Sequence, residues 1–153
     1  MRRSDLGLLA LRLTTGAVLA SHGLPKLMGG PATSPPPWLS RLLGDNYPSA
    51  WEKSGPAAFA KNLGLMGVPL PELAARASGL AELGGGLALA AGVATPVVSA
   101  MAAFNMAVAV RGAHWKTGFY GAGGYEFPLL IGVAAAAIGL TGPGRISLDQ
   151  ILK

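Results

Sequence analysis

The first apolar stretch of the chain carries four polar side chains at helical spacing. At about 100° per residue, Arg12, Thr15, His22 and Lys26 fall within an arc of about 80° on one helix face. Such a face could hold an anion, hydrogen-bond a quinone head group or relay protons. Histidine is the side chain whose ordinary pKa suits proton exchange near neutral pH. The face therefore predicts a buried polar site with His22 as its proton-exchanging group.

The second long apolar stretch carries an acid near its middle, Glu82. An ionisable group at hydrocarbon depth costs on the order of 2.5–3.5 kcal/mol, so it is usually paired and functional. At a rise of 1.5 Å per residue in antiparallel helices, Glu82 comes to lie between Arg12 and His22 in depth. We therefore expect an Arg12–Glu82 pair, with His22 and Glu82 catalytic and Arg12 binding the substrate. The alternative is an ion pair that only fixes helix register.

Four further polar residues are expected to bind substrate or quinone in the same site: Lys26, Asn105, His114 and Glu126. Three of them also have structural interpretations. Lys26 can extend to lipid head groups, and Glu126 can be an acid favoured at a helix start. His114 precedes Trp115 and can belong to an interfacial loop.

The composition is that of a membrane protein. Charged residues make up 12% of the chain and apolar residues 51%, whereas soluble domains carry about 25% charged residues. The chain has no cysteine, which excludes disulfides, thiolate catalysis and cysteine-ligated metals. The net charge of +5 is scattered, so no nucleic-acid partner is expected. No Glu-x-x-His pair or Gly-rich nucleotide loop occurs, so we expect no metal site and no covalently bound cofactor.

The apolar stretches predict four helices, at about residues 5–26, 71–91, 96–111 and 125–140. The predicted fold is all-α: an antiparallel four-transmembrane-helix bundle forming one domain over residues 1–153. The expected localisation is the cell membrane, as a multi-pass protein in contact with the lipid bilayer. Because the third segment is short for a span, a soluble helical bundle is the alternative.

A long connection separates the first two predicted helices. This connection, residues 29–70, is too long for a simple turn and suggests a lid or interfacial segment; its Pro-rich part is residues 31–58. Residues 57–65 predict a short amphipathic helix at the membrane surface. Within the long helices, small residues four apart, such as Gly16/Ala20 and Ala81/Gly85, predict close approach of neighbouring helices.

Six different short motifs follow one another along almost the whole chain. They run from the polar face of the first helix, through the acid of the second and the amide of the third, to a Gly-Pro-Gly turn near the end. In order they are Arg12-x9-His22-Gly23-x2-Lys26, Gly79-x2-Glu82-x2-Gly85-Gly86, Asn105-Met106, His114, Gly123-Gly124-Tyr125-Glu126-x-Pro128 and Gly142-Pro143-Gly144-Arg145-x-Ser147-Leu148-Asp149.

In these motifs the chain resembles the DoxX family of small four-helix membrane proteins. The Pro-rich segment 31–58 departs from the shortest members. The resemblance implies a membrane subunit linked to quinone-dependent oxidation, since the family name comes from an archaeal quinol oxidase and thiosulfate:quinone oxidoreductase. The fold also looks similar to thiol-redox four-helix proteins such as vitamin K epoxide reductase. Without cysteine, the chain cannot perform their disulfide chemistry.

The expected function is therefore a DoxX-like subunit associated with a quinone-linked oxidoreductase, with quinone as the bound cofactor. Its partners would be membrane or peripheral redox proteins. Two other classes stay open: a non-catalytic assembly or anchoring subunit, and a small-solute or lipid-handling membrane protein.

Overall fold

The computed structural model describes residues 2–152, and the regular elements of this range are all helical. The all-α prediction is thus confirmed, while Met1 and Lys153 of the predicted domain lie outside the described residues. The α-helices are α1 (Arg3–Met28), α2 (Pro37–Leu43), α3 (Tyr47–Glu52), α4 (Pro56–Leu65), α5 (Pro71–Ala91), α6 (Thr95–Ala109), α7 (Glu126–Thr141) and α8 (Leu148–Ile151). A π-helical turn, Val110–His114, and a 3₁₀ turn, Trp115–Thr117, follow α6 directly.

Proline and glycine set several helix limits. Pro37, Pro56 and Pro96 each lie in the first turn of a helix, where the missing N–H costs no intrahelical bond. Gly142 follows α7 with φ of 87°, a left-handed conformation that glycine adopts without strain. These signals account for helix limits close to those predicted. The helix expected at 57–65 is present as α4, and its position at the membrane surface stays a prediction.

The chain forms two compact units. Unit 1 comprises residues 2–20 and 84–152. Its apolar core is formed by α1, α5, α6 and α7, and Gly16 lets the backbones of α1 and α5 meet at Gly86. A Cβ on Gly85 would meet nothing within 4 Å, so the predicted close approach at Gly85 is wrong. The buried core residues are Leu19, Leu89, Ala102, Met106, Ile131, Ala135 and Ile138.

Unit 2 comprises residues 21–83. Its Pro-rich connection folds into the short helices α2, α3 and α4. Trp51 is 3% exposed and donates its Nε1–H to Thr33 Oγ1 at 3.0 Å. Ala60 and Leu63 of α4 pack with Ala75 of α5 in a small apolar core. The long loop is therefore a folded part of the protein.

One described helix is long and apolar enough to cross a membrane, the continuous helical run Thr95–Thr117. Only 17% of its apolar window is buried inside the protein, whereas the core helix of a soluble domain would be largely buried. Helix α7 is apolar but shorter, and exposes Leu130 and Leu140. Apolar surfaces of this kind suit contact with lipid. The four-transmembrane bundle stays a prediction.

Candidate functional site

The candidate site lies in unit 2, where α1 ends beside α5. Gly23 of α1 contacts the backbone nitrogen of Leu83, and a Cβ on it would lie 2.8 Å from Glu82 Cβ. Because glycine has no side chain, the two helices approach closely at this level. That approach brings Lys26, three residues along α1, onto the carboxylate of Glu82.

Lys26 and Glu82 form a partly buried ion pair. Lys26 Nζ lies 2.6 Å from Glu82 Oε1, and the side chains are 24% and 3% exposed, respectively. The lysine ammonium also lies 4.6 Å from the centroid of the Phe59 ring, a cation–π contact from α4. The ammonium is thus held between a carboxylate and an aromatic face.

His22 lies one turn before Lys26 on α1 and is exposed. Both Glu82 and Lys26 interact electrostatically with its imidazole. Three of the predicted site residues, His22, Lys26 and Glu82, are therefore brought together in unit 2. A histidine at the surface of the unit beside a charged pair can exchange a proton with a bound molecule.

The Pro-rich connection supplies a neighbour that the sequence interpretation missed. Tyr47 of α3 donates its hydroxyl to the backbone carbonyl of Ser21, at 3.1 Å, next to His22 in the chain. Its ring packs edge-on against Trp51 with centroids 6.1 Å apart. Burial raises the pKa of the Tyr47 phenol above its usual value. The four-residue spacing of Tyr47 and Trp51 was the available sequence signal, because it places both rings on one helix face.

Arg12 has different partners from those predicted. It is 1% exposed and belongs to unit 1, where its Nη1 and Nη2 donate to the backbone carbonyls of Pro143 and Ile146 at 2.6 and 2.5 Å. Asp149 adds a favourable electrostatic interaction. The predicted Arg12–Glu82 pair is therefore wrong, because both terminal nitrogens of the guanidinium bind the Gly-Pro-Gly turn and Glu82 binds Lys26.

Asp149 extends this network in unit 1. Its carboxylate accepts from the backbone N–H groups of Ala94 and Thr95 at 2.8 and 2.9 Å, and so caps the start of α6. Its own N–H donates to Gly92 O at 2.8 Å. Gly92 has φ of 72° and packs directly against the guanidinium of Arg12. The cluster ties three segments of unit 1 together, so we assign Arg12 a structural role.

The other predicted binding residues also belong to unit 1. His114 Nδ1 lies 2.8 Å from Gly123 O, and Glu126 Oε1 accepts from Gly121 N–H at 3.2 Å. Both side chains therefore fasten the loop that joins α6 to α7. Within that loop, Trp115 stacks on Tyr125 with centroids 5.2 Å apart. Asn105 is half-buried on α6.

The chemistry available to the site is limited. Among residues 2–152, no group of three or more His, Asp or Glu side chains could hold a metal ion. The chain has no cysteine for thiol chemistry. The side chains that converge in unit 2 can donate hydrogen bonds, balance charge and move protons, which are the tasks of a polar binding site in an apolar protein.

Comparison with known families gives one match. The family model described as DoxX matches residues 7–115, which include both helices of the candidate site. The chain belongs to the DoxX family. No curated protein and no solved structure matches the chain significantly. Membership of DoxX, together with the apolar run Thr95–Thr117, identifies a membrane protein.

Proposed function

We propose that this DoxX-family chain is a multi-pass subunit of the cell membrane that binds a quinone head group for a quinone-linked oxidoreductase. The observation that carries the proposal is the Lys26–Glu82 pair, with 2.6 Å between Nζ and Oε1, and the exposed residue His22 one turn earlier on α1. A charged pair in an apolar protein is costly and is normally kept for a function. Because His22 is the exposed residue of this cluster, we propose that the ligand is contacted there.

Each member of the cluster has a task in this proposal. Quinone carbonyl oxygens accept hydrogen bonds, and the ammonium of Lys26 and a ring N–H of His22 are donors. Glu82 orients the Lys26 ammonium, while His22 exchanges the proton that accompanies quinone reduction or quinol oxidation. The Phe59 ring, already in contact with Lys26, offers an apolar face to a planar head group.

Electron transfer in this proposal involves a second protein. Because the chain has no cysteine, thiol–disulfide exchange within it is excluded. We propose that a membrane or peripheral redox partner exchanges electrons with the bound quinone. This chain then supplies the head-group site and the proton path.

The multi-pass topology rests on helix length. Helix α1 has 26 residues and α5 has 21, and about 20 residues cross the hydrocarbon core. Arg12 on α1 and Glu82 on α5 are 1% and 2% exposed, so these charged side chains would not face the lipid. Together with Thr95–Thr117 and α7, the two helices would give four spans.

The experiment is to purify the protein in mild detergent, extract the bound lipids and measure quinone by mass spectrometry. Wild-type protein is expected to retain quinone, and Glu82→Gln, Lys26→Gln and His22→Gln to lose most of it. Glu52→Gln is the matched control, because Glu52 is an exposed acid of the same unit. Wild-type protein that repeatedly carries no quinone and binds none when it is added would contradict the proposal.

A second candidate is a non-catalytic assembly or anchoring subunit. It is favoured by the observation that Arg12, His114 and Glu126 bind backbone groups of their own unit. In that case the Lys26–Glu82 pair only locks the two helices together. A stable partner in mild-detergent pull-down, retained by the Lys26→Gln/Glu82→Gln double variant without any bound quinone, would favour this candidate.

A further inference from the structure

A charged cleft lies in unit 2 between α4 and the first turns of α5. Its volume is about 550 Å³ and it is open to the outside. Small residues and prolines make up most of its wall, and three charged side chains, Lys61, Glu72 and Arg76, complete it. With two cations and one acid, the cleft carries a net charge of +1.

The charges of the cleft have no partners of their own. Within residues 2–152, none of Lys61, Glu72 and Arg76 takes part in an ion pair or a side-chain hydrogen bond. All three residues are exposed. Lys26 and Glu82 of the same unit, in contrast, are paired with each other. The cleft therefore presents two cationic groups that a ligand can reach without breaking an existing bond.

Apolar side chains continue from the cleft along α5. Leu73 and Leu80 are 64% and 61% exposed. At 100° per residue they share a face of about 60° with Arg76. Leu65, at the end of α4, is 79% exposed. A cation and exposed leucines on one helix face suit an amphiphilic ligand. Its anionic head group would contact the cation, and its apolar chain would cover the leucines.

We propose that this cleft binds the head group of an anionic phospholipid, with Lys61 and Arg76 holding the phosphate. Arginine binds phosphate oxygens in a bidentate geometry, and lysine adds a point charge. The Glu72 carboxylate accepts a hydrogen bond from a head-group hydroxyl, so a phosphoglycerol head group fits better than a bare phosphate. An acyl chain then covers Leu73 and Leu80, which a free phosphate ion would leave exposed.

The proposal is independent of quinone binding, because it involves none of His22, Lys26 and Glu82. The test uses the full chain in mild detergent. Native mass spectrometry counts bound molecules while phosphatidylglycerol, phosphatidylcholine or inorganic phosphate is added. Wild-type protein is expected to bind phosphatidylglycerol in preference to phosphatidylcholine, and inorganic phosphate at equal concentration should not displace it.

The decisive variant is Lys61→Gln/Arg76→Gln. Since both side chains are exposed and without ion pairs, folding should be unaffected. The variant should bind phosphatidylglycerol roughly tenfold to thirtyfold more weakly, as expected for two interfacial cations. Arg41→Gln/Lys53→Gln is the control, because it removes the same charge from exposed positions of unit 2 outside the cleft. Equal loss in both variants, no loss in the cleft variant, or displacement by inorganic phosphate would overturn the proposal.

Discussion

The charged centres of the two units differ in what holds each charge. In unit 1, both terminal nitrogens of Arg12 donate to main-chain carbonyls, and the side chain is 1% exposed. In unit 2, Lys26 faces one carboxylate and one aromatic ring, and a quarter of it stays exposed beside His22. A charge held by backbone carbonyls fixes a fold, whereas a partly exposed pair next to an imidazole can also take part in binding. The exposed fraction of a charged side chain is therefore not enough to tell a structural charge from a binding one.

Among the variants that test the different roles of Arg12 and Lys26, Arg12→Gln is expected to lose the most stability. The substitution removes two charge-assisted hydrogen bonds to the part-buried carbonyls of Pro143 and Ile146, so unfolding should become easier by about 3–5 kcal/mol. Thermal unfolding in detergent measures the loss, and proteolysis should cut the segment after α7 sooner. The control, Arg3→Gln, alters an exposed residue of the same helix. If Arg12→Gln lost quinone but kept wild-type stability, the structural role would be wrong.

A second prediction concerns the helix contact beneath the unit 2 site. Gly23→Ala places a methyl group against the backbone of Leu83 and should cost about 1–3 kcal/mol of stability by overpacking. Gly84→Ala is the opposite case, because a Cβ there meets nothing within 4 Å. It should stabilise the protein by about 0.5–1 kcal/mol through helix propensity. Similar melting temperatures for the two variants would show that α1 and α5 are not in contact at Gly23.

The ion pair itself can be tested with a double-mutant cycle. Lys26→Gln should cost more than Glu82→Gln, since it leaves the more deeply buried charge without its ammonium. The double variant should cost less than the sum of the single variants by about 1–2 kcal/mol. Chemical unfolding in detergent gives all four free energies. Strict additivity would mean that the two groups do not interact.

The smallest effect is expected in alkali. Because burial raises the pKa of Tyr47, the folded protein favours the neutral phenol. This stabilisation is complete below the unfolded pKa of about 10 and is lost as the pH rises through the higher folded pKa. Unfolding followed from neutral to strongly alkaline pH should therefore show a steeper loss in wild-type protein than in Tyr47→Phe. When ionisation is followed by the absorbance of tyrosinate, wild-type protein should show a phenol that ionises at higher pH than an ordinary tyrosine. Tyr47→Phe should lack this phenol.

The helices were predictable because their signals are local. Helix α5 was expected at 71–91 and is observed as Pro71–Ala91, since proline and an acid open it and Gly92 follows it. The third helix was expected to end at 111, but the α-helix ends at Ala109 and a π turn continues to His114. A π turn keeps the chain helical with wider spacing, and apolar periodicity carries no signal for it.

The site was predictable only in part. His22, Lys26 and Glu82 were recognised because ionisable residues are rare in apolar segments. The partner of Arg12 was missed because depth and charge sign alone pair a cation with an acid. The main-chain carbonyls of a Gly-Pro-Gly turn carry no formal charge, so an argument from charged side chains does not find them. Lys61 and Arg76 were missed because each is an ordinary surface cation until the fold places both on one cleft.

The hydrogen bonds of Arg12 join residues that are far apart in the chain. Its carbonyl partners lie 131 and 134 residues further along the chain. Until that later segment has been translated, the guanidinium has neither of these acceptors. Synthesis must therefore pass Ile146 before Arg12 can make both bonds, and a chain arrested earlier would carry the guanidinium without either carbonyl.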